Sequence, residues 1–229
     1  MGDSPIGRNS ERGMSLHGTA GSPVESEPTG RGAAKLMLAD GHTAGVLEAH
    51  HPPGRLHIAV SVQLITFGGQ WLLQRRSRGK ALFAGKWANS CCTHPYPSEP
   101  PVVAAARRLA EELGVEAVPL FPARTFTYRA TDPVSGLVEH EHDHIFVGIT
   151  DLATVPDPSE IEELWCGPFE EAVAIVSGQD GAPWAATVLQ LAANRVCALL
   201  PYLRRDEEPW GNLSTTTDAA TPRAAGQWS

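Results

Sequence analysis

The chain has 229 residues, 42% of them hydrophobic, with a net charge of −8 and a pI near 5.6. That length allows one large or two small domains, and the low-complexity ends argue for one. The acidic balance speaks against general nucleic-acid or polyanion binding, and no apolar run approaches the roughly 18 residues that a membrane-spanning helix needs.

Positive charge is local. There are three lysines, Lys35, Lys80 and Lys86, and two of them fall in one short stretch. The four cysteines (Cys91, Cys92, Cys166, Cys197) lack the spacing of a disulfide framework. Adjacent Cys91 and Cys92 could bridge only as a strained pair, so a reducing cytoplasm is expected. The N-terminus carries no signal-type apolar core.

Residues 1–35 are rich in Gly, Ser, Pro, Glu and Arg without apolar periodicity, which predicts a disordered leader. Residues 36–48 (LMLADGHTAGVLE) set the turn signal Asp40-Gly41 between two apolar runs, as a hairpin does. Strands are predicted at 56–66 and 71–76 around the turn Phe67-Gly68-Gly69-Gln70, then a long loop at 77–98. Pro100 and Pro101 suit a helix start, and VVAAARRLAEEL makes an amphipathic helix that ends at Gly114. On it Arg108 and Glu112, and likewise Arg107 and Glu111, stand four apart, the spacing of an intrahelical ion pair. Strands are predicted at 124–130 and 137–150, a short strand within 156–168, and helices at 169–177 and 184–204, the last bent or ended by Pro201. Residues 206–229 read as a flexible tail. The sum is a single domain over 36–205, a mixed sheet with helices on its faces, in the α/β or α+β class.

Two stretches carry chemistry. From Gln74 to His94 (QRRSRGKALFAGKWANSCCTH) the chain packs cations, a Trp, two cysteines and a histidine into one basic segment. Cys92 and His94 stand two apart, so in extended backbone they share a side. With Arg76 and Lys80 nearby, this suggests acid–base chemistry beside an anion, although a buried cysteine pair with a surface histidine is the common fate of such residues. In VEHEHDHIFVGI the alternation puts Glu139, Glu141 and Asp143 on one face and His140, His142 and His144 on the other. Three carboxylates on one apolar-flanked strand repel unless a metal or a proton intervenes, which favours a metal.

The set LLQRRSRGK, GKWANSCCTHP, AAARRLAEELGV, TYRATDP and VEHEHDHIFVG resembles type 1 isopentenyl-diphosphate Δ-isomerase, a branch of the Nudix superfamily, from about Leu38 to Leu199. Against the superfamily pattern G-x5-E-x7-R-E-U-x-E-E-x-G-U, Glu99, Arg107, Leu109, Glu111, Glu112, Gly114 and Val115 fall in place. Thr93 replaces the glycine and Arg108 the first paired glutamate, which counts against metal-activated hydrolysis. The resemblance implies a Nudix-type sheet between helices, and interconversion of isopentenyl and dimethylallyl diphosphate in isoprenoid biosynthesis. Cys92 aligns with the acid that protonates the alkene, Glu141 with the base at C2, and Tyr128 with the tyrosine that assists it. A thiol with an ordinary pKa of about 8.5 is neutral at pH 7 and able to donate. A first metal, Mn2+ or Zn2+, maps onto His50, His57, His94, Glu139 and Glu141. A second, Mg2+, maps onto Glu112 and the backbone carbonyl of Cys92, and Arg76, Lys80 and Arg108 onto the diphosphate clamp. The implied partner is a small prenyl diphosphate, with no nucleic acid, no membrane insertion and a monomeric chain.

Some features depart from the pattern. LEAHHPPGRLH is about three residues short and lacks the family's lysine, which leaves His50 and His51 competing for one ligand position, with the spacing of seven to His57 favouring His50. In PWAATVLQL, Leu189 or a neighbour stands where the family places a second Trp. Ala84 replaces a Pro, and Ile58-Ala59-Val60 replaces Arg-Ala-Phe. Trp165, Trp184, Cys166 and Cys197 are expected to pack. The competing expectations are an isomerase for another prenyl diphosphate, a Nudix diphosphate hydrolase, and a non-catalytic prenyl-diphosphate-binding relative.

Overall fold

A computed structural model describes residues 35–203. The expected tail and the expected leader up to residue 34 lie outside the described residues, while Lys35, placed in that leader, opens the first strand.

The first hairpin forms as its turn signal requires. Strand β1 (Lys35–Met37) pairs antiparallel with β2 (Thr43–Gly45), and Gly41 at φ 84° supplies the left-handed turn residue. The next residues, expected to extend the second strand, instead form one helical turn, α1 (Val46–His50). The Glu48 carboxylate accepts the Gly45 N–H at 3.4 Å, a local hydrogen bond that competes with strand pairing. That turn carries His50 inward.

The main sheet has seven strands. Its centre is β3 (His57–Ile65) and β8 (Val138–Ile149), paired in parallel with His57 opposite Glu141. Strand β7 (Leu120–Thr131) joins β8 antiparallel and sets Tyr128 opposite Glu141; it begins four residues earlier than the sequence suggests. On the other side β4 (Trp71–Arg76) meets β3 at the hairpin end and pairs along its length with β9 (Ile161–Gly167). The predicted long loop is partly ordered as strand: β5 (Trp87–Ala88) pairs with β4, and β6 (Cys91–Thr93) pairs with β3, Cys92 opposite Ser61. Short strands of this kind are recruited by neighbouring edges and carry too few residues to show a period.

Helix α2 (Pro101–Leu113) packs on one face of the sheet. Proline needs no N–H partner in the first turn, and Gly114 at φ 64° ends the helix with its N–H on the Ala110 carbonyl. Its buried stripe, Ala104, Ala105, Leu109 and Leu113, meets Val60, Val62 and Leu64 of β3. Burial of each leucine contributes about 2 kcal/mol. Helices α3 (Phe169–Ser177) and α4 (Ala185–Leu203) cover the opposite face over Leu73, Ile145 and Val147. Pro201 does not end α4, which runs two residues past it. Cys166, expected in the core, is exposed near the end of β9.

The result is a mixed α+β sheet between helices. Its two middle strands present His57 and the first half of β8 at one end, under α1 and the β6 segment.

Candidate active site

A cavity of about 490 Å³ opens at this end of the sheet. Three groups of side chains line it or complete clusters with those that do.

The first is a cluster of His50, His57, His94, Glu139 and Glu141, whose ligating atoms all lie within 4.8 Å of one another. It draws on α1, β3, the residue after β6, and β8. His50 Nε2 is 2.9 Å from Glu139 Oε2, and His94 Nε2 is 2.9 Å from Glu141 Oε1. His57 Nε2 is 3.6 Å from that same oxygen and 3.2 Å from His94 Nε2. Backbone carbonyls take the other ring nitrogens: Val46 O at 2.6 Å from His50 Nδ1, and Arg55 O at 2.8 Å from His57 Nδ1. A carbonyl accepts only, so both rings carry hydrogen on Nδ1 and aim Nε2 inward, where it donates to a carboxylate here and would offer a lone pair to a cation once that proton is displaced. Inward Nε2 atoms of buried imidazoles, set against two carboxylates within 4.8 Å, are an arrangement that a divalent cation satisfies.

The electrostatics agree. Burial alone would raise the Glu141 carboxyl, but hydrogen bonds from His57 and His94 outweigh it and hold the group well below the usual carboxylate range. Burial pushes His94 down against the pull of Glu141. For His50 burial also acts downward, yet its bond to Glu139 prevails and raises it. Of the two competing histidines, His50 points into the cluster at 1% exposure, whereas His51 is exposed and its Nδ1 lies 3.2 Å from the Pro52 carbonyl. The outward row of β8 stays apart: His140 lies 3.2 Å from Gly54 O and His142 3.0 Å from Thr127 Oγ1.

The second group is Cys92, Tyr128 and Trp184. The Cys92 thiol donates to Asn89 Oδ1 at 3.2 Å and lies 3.5 Å from Ser61 Oγ, which itself donates to Asp143 Oδ2 at 2.7 Å. Burial, with the Asp143 carboxyl close by, pushes this thiol up to about 12, so the expected neutral form is held more firmly than an ordinary cysteine. Asp143 is itself raised well above the carboxylate range by burial and by Glu141. The Tyr128 hydroxyl donates to Glu141 Oε2 at 2.7 Å. Trp184, expected as packing, lines the cavity beside Tyr128, with ring centroids 5.7 Å apart. Leu189 is fully buried in the core under α4 and is not a lining residue.

The third group is cationic. Lys80 donates to Glu160, and Arg108 Nη2 lies 2.6 Å from Glu112 Oε1 and 3.1 Å from Glu160 Oε2. Its Nη1 bonds Glu111 at 2.9 Å. Arg76 lines the same cavity, but its Nε and Nη2 are committed to the Leu82 carbonyl and its guanidinium sits 5.5 Å from the Trp184 ring. Both helical i,i+4 ion pairs exist, yet Arg107 is held more tightly by Glu99, with two contacts of 2.8 and 2.9 Å, and lies 4.1 Å over the Tyr96 ring. Burial raises the Glu112 carboxyl despite Arg108, and its Oε2 has no hydrogen-bond partner among the described residues.

Of the expected site residues, Arg76, Lys80, Cys92, His94, Arg108, Tyr128, Glu139 and Glu141 line the cavity, His50 and His57 complete the cluster with three of them, and Glu112 is bonded to Arg108. Sequence reasoning missed Glu160, Asn89 and Ser61. Glu160 sits in the turn PDPSE, where nothing in the pattern separates it from the neighbouring acids; Asn89 and Ser61 act through contacts that only the fold creates.

The family model of the NUDIX domain matches residues 55–190. The chain is 47% identical over 153 residues to an isopentenyl-diphosphate Delta-isomerase of Streptomyces griseus, covering 66% of this chain and 76% of that protein. A Nocardia farcinica protein of the same name is 46% identical over 64% of this chain and 85% of its own. One from Escherichia coli is 38% identical over 66% and 82%. Among solved structures, a Deinococcus radiodurans protein aligns with TM-score 0.54 at 22% identity, over 69% of this chain and 96% of that one. A MutT protein from Methanosarcina mazei aligns with TM-score 0.51 at 20% identity, over 62% and 95%. These two bear on the fold alone.

Proposed function

The chain belongs to the Nudix family and to its isopentenyl-diphosphate Delta-isomerases, and from that premise we propose how it interconverts isopentenyl and dimethylallyl diphosphate. The observation that carries the mechanism is geometric: Cys92 and Glu141 line one cavity, the thiol hydrogen-bonded to Asn89 at 3.2 Å and the carboxylate to Tyr128 at 2.7 Å and His94 at 2.9 Å, surroundings that favour a neutral thiol and an ionised carboxylate. Groups whose surroundings push them apart in this way divide the roles of acid and base.

Cys92 gives its proton to the terminal alkene carbon, leaving a tertiary cation. Glu141 takes a proton from C2, and the electrons of that C–H bond close the new double bond. The products are dimethylallyl diphosphate, a thiolate and a carboxylic acid, and a return of the proton resets the site. Tyr128 fixes one oxygen of Glu141 by its 2.7 Å hydrogen bond and so aims the base. Lys80 and Arg108 bind the diphosphate, helped by Arg76, since guanidinium and ammonium donors match phosphate oxygens.

His50, His57, His94, Glu139 and Glu141 would hold Mn2+ or Zn2+, and Glu112 with the Cys92 carbonyl Mg2+. Bound there, these ions supply positive charge that fixes Glu141 and screens the diphosphate. Hydrolysis is disfavoured because Arg108 stands at a glutamate position of the Nudix pattern and its guanidinium bonds Glu111, Glu112 and Glu160. The reading places a monomer in a reducing cytoplasm, in keeping with four free cysteines.

Incubation of isopentenyl diphosphate with the protein, Mg2+ and Mn2+ or Zn2+ tests the reading. The expected product is dimethylallyl diphosphate; release of phosphate or pyrophosphate would instead indicate a hydrolase.

A further inference from the structure

Asn89 takes no part in the mechanism above, yet it is fully buried directly behind the cavity wall. Its Nδ2 donates to Val62 O at 3.1 Å and to Cys91 O at 2.9 Å. Both acceptors are backbone carbonyls, so the amide cannot flip and its oxygen has one possible direction. That oxygen accepts two hydrogen bonds, from the Cys92 thiol at 3.2 Å and from the Trp184 indole Nε1–H at 3.1 Å. All four hydrogen-bonding positions of the side chain are therefore filled. They tie together β3, β6 and the residue that precedes α4. The indole held in this way packs against Tyr128 and Phe83, with ring centroids at 5.7 and 5.3 Å.

We infer that Asn89 is a positioning residue: one amide oxygen sets the Cys92 sulfur and the Trp184 indole in fixed relation on the cavity wall. The inference rests on the isomerase reading. The Cys92 sulfur has a second hydrogen-bond contact, to Ser61 Oγ at 3.5 Å, but it is the longer of the two and that hydroxyl is itself committed to Asp143 Oδ2 at 2.7 Å. The indole has no second hydrogen-bond partner among the described residues. Misplacement of a reacting group by about 1 Å lowers turnover on the order of 100-fold. The diphosphate-binding cations make no contact with Asn89, so substrate affinity should not follow.

The test is Asn89→Leu, which keeps the volume and removes every hydrogen bond, beside Trp184→Phe, which keeps a ring and removes only the indole donor. Wild-type conversion is measured first, and its absence overturns the isomerase reading itself before any variant is compared. With conversion present, Asn89→Leu should lower kcat at least tenfold while KM stays within threefold. The Trp184 indole N–H resonance, assigned by its loss in Trp184→Phe, should move upfield in Asn89→Leu. Trp184→Phe should lower kcat by a smaller factor, and the double variant should be no slower than Asn89→Leu alone. A wild-type kcat in folded Asn89→Leu, or an unmoved indole resonance, overturns the inference. Should Asn89→Leu not fold, Trp184→Phe decides: wild-type kcat there overturns the indole half of the claim, and a selective fall in kcat supports it.

Discussion

Replacing Tyr128 with Phe removes one oxygen atom and with it the 2.7 Å hydrogen bond to Glu141 Oε2. The ring remains, stacked on Phe126 at 5.4 Å and packed against Trp184 at 5.7 Å, so no cavity opens. A hydrogen bond to an ionised group is worth about 1.5–3 kcal/mol, and about 1.4 kcal/mol corresponds to a tenfold rate. If the bond aims the base in the transition state, kcat should fall by about 10- to 150-fold with KM near its wild-type value. Glu141 keeps its contacts to His57 and His94, so the thermal midpoint should move by only a few degrees. The assay is steady-state formation of dimethylallyl diphosphate followed by NMR, with a melt on the same sample. A kcat within threefold of wild type would refute the role given to Tyr128, and a collapsed melt would show a structural role instead.

Arg108→Ala removes the cation bonded to the buried Glu112 carboxylate, and losing one partner of a buried pair costs about 3–5 kcal/mol. Denaturant melts should show that loss, a second substitution Glu112→Gln should restore at least half of it, and KM should rise in both variants. Chelation should lower the melting midpoint by about 5–10 °C, from about 2.7 kcal/mol of binding at a hundredfold excess over Kd. Mn2+ or Zn2+ should restore the midpoint in the wild type and not in His50→Ala, and equal recovery in both would contradict the assigned ligands. Acid should unfold the chain through groups held below their ordinary values. Glu99 is lowered by Arg107. Glu160 and Asp132 are pushed up by burial but lowered further, Glu160 by Lys80 and Arg108, and Asp132 by the Ser135 hydroxyl and three backbone N–H groups. A depressed carboxyl contributes stability that is complete above its unfolded value, near pH 4, and disappears as pH falls through the folded value. Urea midpoints should therefore hold above about pH 5 and drop below pH 4, and Asp132→Asn should flatten that drop.

Much of this fold is written in periodicities long enough to read. The apolar runs of β3 and β8 and the two-proline start of α2 appear in the sequence as in the structure, because each spans many residues with one pattern. The alternation in VEHEHDHIFVGI placed Glu139, Glu141 and Asp143 together on the inner face, and they are all buried there. Short elements without a turn signal of their own were not legible. α1 is one turn, while β5 and β6 have two and three residues and exist because neighbouring strands offer hydrogen bonds. That local turn also carries His50 rather than His51 inward, the choice that the spacing to His57 favoured. Partnerships across the fold were hidden for another reason. Trp184 reads as packing until Asn89, 95 positions away, is seen to hold its N–H, and Glu160 becomes a site residue only when the turn before β9 reaches Lys80 and Arg108.

The central claim is that Cys92 and Glu141 move protons at two different carbons of one bound substrate. NMR of isopentenyl diphosphate in deuterated buffer, with Mg2+ and Mn2+ or Zn2+, follows both. The wild-type protein should form dimethylallyl diphosphate with deuterium in the new methyl group and, on return, at C2, and both Cys92→Ala and Glu141→Gln should abolish the conversion. Unchanged, undeuterated substrate with the metal-loaded wild type, or full turnover in Cys92→Ala, would contradict the account.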